Sequence, residues 1–249
     1  MQNLNSFKGI NSSELRGFFT GLILGDGHID KGVHKRAITM RTINEDFADF
    51  ISYVIDKNTV FKHYVKYYGP TVGKDGTNHK EHWYLAIKAH PYFNKMYHYF
   101  YDDHRHRKVY AKTLSWLNPV GLACWYMSDG YVCLVGKTKG AIRDRRMDIC
   151  TDRYFEEDIV LMISVLRKKF GIICSKVKRG KFYRIRIKRC SYEKFINIIK
   201  PYVVDSMLYK LYLGYENKPD CLSDEAWEYQ QYLLSAVAPA HNGGGQDIV

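Results

Sequence analysis

Arg16-Gly17-Phe18-Phe19-Thr20-Gly21-Leu22-Ile23-Leu24-Gly25-Asp26-Gly27 is the stretch on which the fold turns. It is an apolar segment ending in Asp-Gly, and the chain repeats it. Val120-Gly121-Leu122-Ala123-Cys124-Trp125-Tyr126-Met127-Ser128-Asp129-Gly130 closes the same way, with its aspartate 103 positions after the first. Gly17, Gly21 and Gly25 stand four apart and so share one helix face. Aligned on the aspartates, Val120, Cys124 and Ser128 are their counterparts, mostly small, and such faces let two helix backbones pack side by side. Asn11 with Glu14, and Asn118 with Pro119, are helix-start signals. Both segments stop at a glycine, the residue that most readily turns left-handed past a helix end.

The duplication extends outward from these segments. After Asp26 come strand-like residues 36–41, then Asn44 opening a helix with Phe47, Phe50, Ile51 and Val54 on one face. After Asp129 come residues 146–150, then Thr151-Asp152 as the cap of a helix with Ile159, Met162, Ile163 and Leu166. Paired strands follow: 60–68 with 82–88 around a Gly-rich loop, and 172–178 with 182–189 around Arg179-Gly180. Helices over 91–101 and 191–199 close the halves. The expected class is α+β, built from two tandem αββαββα repeats: 1–101, a linker at 102–117, 118–215, and an acidic tail at 216–249.

Length and charge narrow the function. A chain of 249 residues buries enough surface to fold without disulfides, and its six cysteines form no C-x-x-C pair. They read as small buried hydrophobes in a reducing compartment. Lys plus Arg total 38 against 26 for Asp plus Glu, a net charge of +12 that calls for a polyanionic partner. No apolar run approaches the ~20 residues that span a bilayer, and no leader with a cleavage site is visible. The expectation is an intracellular protein of a bacterial or phage cytoplasm or an organelle matrix, neither membrane-bound nor secreted.

Parallel packing of the two apolar helices would bring Asp26 and Asp129 together at their C-terminal ends. Two carboxylates there add to the negative ends of both helix dipoles and attract hard cations. Mg²⁺ suits such a place, since it accepts one or two carboxylates and completes its shell with water and phosphate oxygens. Lys108 and Lys210 follow their aspartates by 82 and 81 residues, so each copy has a basic candidate to orient water or neutralise a transition state. Within 176–189, eight of fourteen residues are Lys or Arg and none is acidic, a self-repelling run unless an anion binds. The expected DNA-contacting cations are Lys62, Lys66, Arg36 and Arg41 in the first copy, and Lys176, Lys178, Arg184, Arg186 and Lys188 in the second. Strand alternation puts such groups on one sheet face for major-groove readout, and two sheets suggest a site of roughly twenty base pairs.

At these residues the chain resembles the LAGLIDADG homing endonucleases of the two-motif, single-chain kind. Residues 19–27 are similar to the first motif and 122–130 to the second; Lys200-Pro201-Tyr202 and residues 206–211 look like the closing segment of intron-encoded members. The resemblance covers about 15–213. It implies a pseudo-twofold saddle with antiparallel sheets on double-stranded DNA. It also implies Mg²⁺-dependent double-strand cleavage of a long site, leaving 3′ overhangs. By the same resemblance Asp26 and Asp129 hold two or three divalent ions shared with DNA phosphates, Lys108 and Lys210 fall at catalytic lysine positions, and the protein acts as a monomer. Ser128 and Leu24 stand where many relatives have further aspartates.

Two rivals share the same features. An intron RNA-binding maturase would need neither acid, and a non-catalytic DNA-binding regulator would have little reason to cluster them. His79 with His82, and His104 with His106, lack a third ligand nearby and read as surface histidines. His241-Asn242 is similar to an intein ending, but no Cys or Ser starts the chain.

Overall fold

The structure is a computed structural model and describes residues 12–30, 36–73, 76–104, 106–138 and 141–211. Asn11, His241-Asn242 and the tail at 216–249 lie outside these residues.

Two helices form the centre. In α1 (Ser12–Leu24), Phe18, Phe19, Leu22, Ile23 and Leu24 are all buried. In α5 (Pro119–Asp129), every residue from 120 to 127 is buried. A helix that is apolar around its whole circumference belongs in a core, not on a surface. The other helices of each half carry one apolar stripe. In α2 (Glu45–Asn58), Phe47, Phe50, Ile51 and Val54 face inward, and the Asn44 side chain accepts from the Phe47 N–H as its cap.

Around α1 are β1 (His28–Ile29), β2 (Ile38–Thr42), β3 (His63–Tyr68), β6 (His82–Ile87) and α3 (Pro91–Phe100), with a short hairpin, β4 (Thr71–Val72) and β5 (Asn78–His79), between β3 and β6. Around α5 are β7 (Gly130–Thr138), β8 (Ala141–Ile149), α6 (Glu156–Phe170), β9 (Cys174–Arg179), β10 (Phe182–Ile187) and α7 (Tyr192–Ile199). The sheets run β1-β2-β6-β3 and β7-β8-β10-β9, antiparallel throughout and in the same spatial order. The fold is α+β, with the duplicated architecture expected from the sequence.

Segment 102–117, which joins the two halves, includes a helix, α4 (Ala111–Trp116), packed on α1 and α6. Two local expectations are corrected. Thr151 and Asp152 do not cap α6, which starts at Glu156 after an uncapped Phe155; Thr151 donates to the Tyr183 carbonyl and Asp152 binds Arg184. Nor does Gly130 turn left-handed, since at φ −76°, ψ 144° it continues directly into β7. Glycine is required there because a Cβ would lie 2.3 Å from the Tyr126 ring.

Candidate active site and nucleic-acid interface

The contact between α1 and α5 is backbone on backbone. A Cβ at Gly21 would lie 1.8 Å from the Gly121 carbonyl oxygen, and one at Gly121 would lie 2.0 Å from that of Gly17. Gly17 meets Asn118 and Gly25 meets Ser128, so the partners rise together along both chains and the helices are parallel. The sequence alignment offered Val120, Cys124 and Ser128 as the matching face; Gly121 and Asn118 lie at its closest points.

This packing delivers both aspartates to one place. Arg153 Nη2 lies 3.6 Å from Asp26 Oδ1 and 3.6 Å from Asp129 Oδ1, so the two carboxylate oxygens are within twice that distance of each other. The acids are not equivalent, for the Asp26 side chain is 41% exposed and that of Asp129 only 14%. Burial first, and the charge of Asp26 second, push Asp129 up to about 7, against the opposing pull of Arg153, Arg107 and Lys210. Two acids crowded in this way favour keeping one proton unless a cation replaces it.

Each helix end is clasped by a cation. Arg107 Nη1 donates to the carbonyls of Ile23 and Gly25 at 2.6 and 2.8 Å, and its Nη2 donates to Gly27 at 2.7 Å. Lys210 Nζ donates to the carbonyls of Met127 and Ser128. Burial lowers the Lys210 pKa, while Asp26 and Asp129 oppose the shift. Cations at a helix C-terminus satisfy its orphan carbonyls and offset its dipole. Arg107 and Lys210 both stand 81 residues beyond the aspartate of their own half.

Lys108 is placed elsewhere. Arg107 pairs with Tyr101 in an antiparallel bridge, and neighbours on an extended segment point to opposite sides. Lys108 Nζ therefore lies over the Tyr110 ring, 5.6 Å from its centre, and its charge acts on Asp158 of α6. The equal offset of 81 is the sequence signal that pairs Arg107 with Lys210, although their residue types differ. Arg153 and Tyr154 carried no such signal. They occupy a loop of the second half that reaches the end of α1, where the Tyr154 hydroxyl donates to the Leu24 carbonyl at 2.8 Å and Arg153 Nη2 donates to that of Gly25 at 3.1 Å.

The model of the LAGLIDADG DNA endonuclease family matches residues 16–195. The chain belongs to that family. As a member it is a DNA-cleaving hydrolase. It is 27% identical over 196 residues to the probable intron-encoded endonuclease 1 of Wickerhamomyces canadensis, covering 77% of this chain and 80% of that protein. It is likewise 27% identical to the DNA endonuclease I-ChuI of Chlamydomonas applanata, covering 77% and 91%. Among solved structures, the homing endonuclease I-WcaI bound to its DNA recognition sequence has the same fold, with a TM-score of 0.70 at 22% identity over 85% of this chain and 91% of that one. No helix among the described residues is long and apolar enough to cross a membrane.

Strand register sorts the cations of this family member by face. Directly opposed residues of an antiparallel pair share a side. In the first sheet, Ile38, Met40, Leu85 and Ile87 are buried against the helices, so the opposite, open face carries Arg41, Lys66, Tyr64, Tyr68 and Tyr84, with Arg41 and Lys66 flanking Tyr84. Lys62, just before β3, is exposed. Arg36 points the other way: its guanidinium stacks 3.4 Å from the centre of the Tyr97 ring on α3.

In the second sheet, Ile185 and Ile187 are buried against the helices while Arg184 and Arg186 take the open face. Lys188 follows them, exposed. Lys176 and Lys178 lie opposite Ile185 and Tyr183 and therefore share the helix side. There Lys176 pairs with Glu156 at the start of α6. The run at 176–189 is also less self-repelling than its sequence implied, because neighbouring segments supply Asp148, Asp152 and Glu156 as partners.

Proposed function

We propose that this chain is a site-specific homing endonuclease that makes a divalent-metal-dependent double-strand break in a long DNA site, leaving 3′ overhangs. One observation carries the reading: two carboxylates converge at the tips of parallel helices, with a single arginine spanning both.

The donor set there fits a hard divalent ion. It consists of two carboxylates, and among the described residues no group of three or more His, Cys, Asp or Glu assembles. Mg²⁺ needs no larger protein cage, since water and DNA phosphate complete its octahedron. Asp26 and Asp129 would hold it, and when bound it would supply Lewis acidity and a water of lowered pKa. The residues of the chain itself do the remaining work. Lys210 and Arg107 fix the helix ends that carry the acids and contribute positive charge beside the scissile backbone. Arg153 neutralises the acid pair in its DNA-free arrangement and, half exposed, is placed to turn toward a phosphate. Lys62, Lys66, Arg41 and Lys188 supply cations on or beside the open sheet faces.

The test uses plasmids that carry either a randomised insert or the joined sequences flanking the reading frame. In Mg²⁺ the protein should linearise a subset, and chelation should stop it. Asp26→Asn and Asp129→Asn should each retain the gel shift and lose at least ~10³-fold in cutting, the scale of losing a principal electrostatic group. Cutting by either variant at the normal rate would remove the acids from the mechanism. Tight binding of intron RNA without any DNA cleavage would favour the maturase instead.

A further inference from the structure

The open face of the second sheet carries a connected set of charges. Asp148 on β8, directly across from Arg186, has no exposed surface. It accepts from Arg186 Nε at 2.7 Å and Nη2 at 2.8 Å, and from the Tyr131 hydroxyl at 3.0 Å; Arg179 lies 3.9 Å away. Asp152 holds Arg184 in the same manner, with Nε at 3.0 Å and Nη2 at 2.8 Å, while Arg184 Nη1 donates to the Tyr131 hydroxyl at 3.2 Å. Tyr131 thus joins the two pairs.

Such an arrangement is poorly suited to gripping phosphate. A carboxylate in contact with each arginine cancels most of its charge and repels a phosphate oxygen. It is well suited to reading a base. A guanidinium has five N–H donors in a rigid fork, of which a carboxylate gripping Nε and Nη2 takes two, fixing the plane of the group. The clamp also removes in advance the side-chain entropy, of order 1–2 kcal/mol, that a free arginine loses on docking. The base edge that matches an arginine fork in the major groove is O6 and N7 of guanine. Two positions along a strand span roughly 6.6 Å, or about two base-pair steps.

We propose that Asp148 and Asp152 are positioning residues for sequence readout, holding Arg186 and Arg184 as fixed forks that recognise two guanines about two steps apart in the half-site under the second sheet. The inference rests on the reading of this chain as a DNA endonuclease. It assigns no such role to the first sheet, where, among the described residues, Arg41 and Lys66 form no ion pair and tyrosines surround them.

The experiment is selection of a randomised duplex library by the full chain, for cutting in Mg²⁺ and for binding in Ca²⁺. The wild-type profile should show two G·C requirements so spaced in one half-site. Arg186→Ala should relax one of them by about tenfold or more, the scale of one good bidentate contact. Asp148→Asn should relax the same position severalfold and leave the other positions unchanged. Arg186→Lys, which keeps the charge but loses the fork, should relax it like alanine while overall affinity is retained. Arg184→Ala and Asp152→Asn should act on the second position, and they carry the test should Asp148→Asn fail to fold. An unchanged profile in these variants overturns the inference. So does a uniform loss across all positions with a shallower salt dependence, which marks phosphate contacts. A chain that neither binds nor cuts any library member overturns the endonuclease reading itself, whereas one that binds without cutting still tests the arginines.

Discussion

The two halves share a topology and differ in what they expose. Each places an aspartate at the end of a central helix, clasps that end with a cation 81 residues on, and spreads a four-stranded sheet of the same order. Yet Asp26 is far more open than Asp129. The first half passes from β2 to α2 through residues 43–44, whereas the second takes residues 150–155 over the same step and sends Arg153 to the end of α1. One open sheet face is aromatic, and its Arg41 and Lys66 form no ion pair among the described residues; the other is built from arginines held by carboxylates. Duplication in one chain keeps the close backbone contact between α1 and α5 and leaves the two sheet surfaces to differ.

The largest expected effect tests what the halves have in common. Gly21→Ala places a methyl group against the backbone of Gly121, where no side-chain rotation relieves it. It should cost about 3 kcal/mol or more in urea unfolding and abolish cutting. Gly69→Ala, where nothing lies within 4 Å, should be neutral on both counts. Equal stability of the two variants would show that the helix contact is not what joins the halves.

A second prediction sharpens the inequality of the acids. The folded pKa of Asp129, about 7, lies above its unfolded value of roughly 3.9. The stability contributed by its protonated form is therefore complete below about pH 4 and is lost as pH rises to about 7. In EDTA, Asp129→Asn should match wild type near pH 4 and exceed it by up to about 4 kcal/mol at pH 8, since the amide removes a buried charge of like sign to Asp26. Thermal melts across that range would reveal the divergence; parallel curves would mean that burial does not raise the Asp129 pKa. The smallest effect tests the sorting of faces. Lys66→Ala should lower the slope of log affinity against log salt by about one, as for a lost phosphate contact. Lys176→Ala, on the helix side, should leave DNA binding unchanged and alter stability by less than ~1 kcal/mol.

The central helices with their terminal aspartates and the order of elements along each half were legible because they rest on local patterns that occur twice. Apolar runs closed by Asp-Gly, and one-sided stripes such as Phe47, Phe50, Ile51 and Val54, have few other physical solutions. Residues that act through long-range contacts were not legible. Which of Arg107 and Lys108 points at α1 depends on a bridge to Tyr101. The role of Arg153 depends on a loop crossing between halves. The face taken by Lys176 depends on strand register, since a shift of one residue inverts every side chain. A run of cations says nothing of the acids on adjoining strands, and so Asp148, the residue that organises the second face, went unnoticed in the sequence.

Lys210 reaches the end of α5 from the last described segment, long after both aspartates have been made. A polypeptide stopped at residue 205 would carry the two acids, the arginine between them and nearly all of both sheets, but the carbonyls at that helix end would lack their ammonium group. In the order of synthesis, the contact that completes the end of α5 therefore comes well after the residues that join α1 to α5.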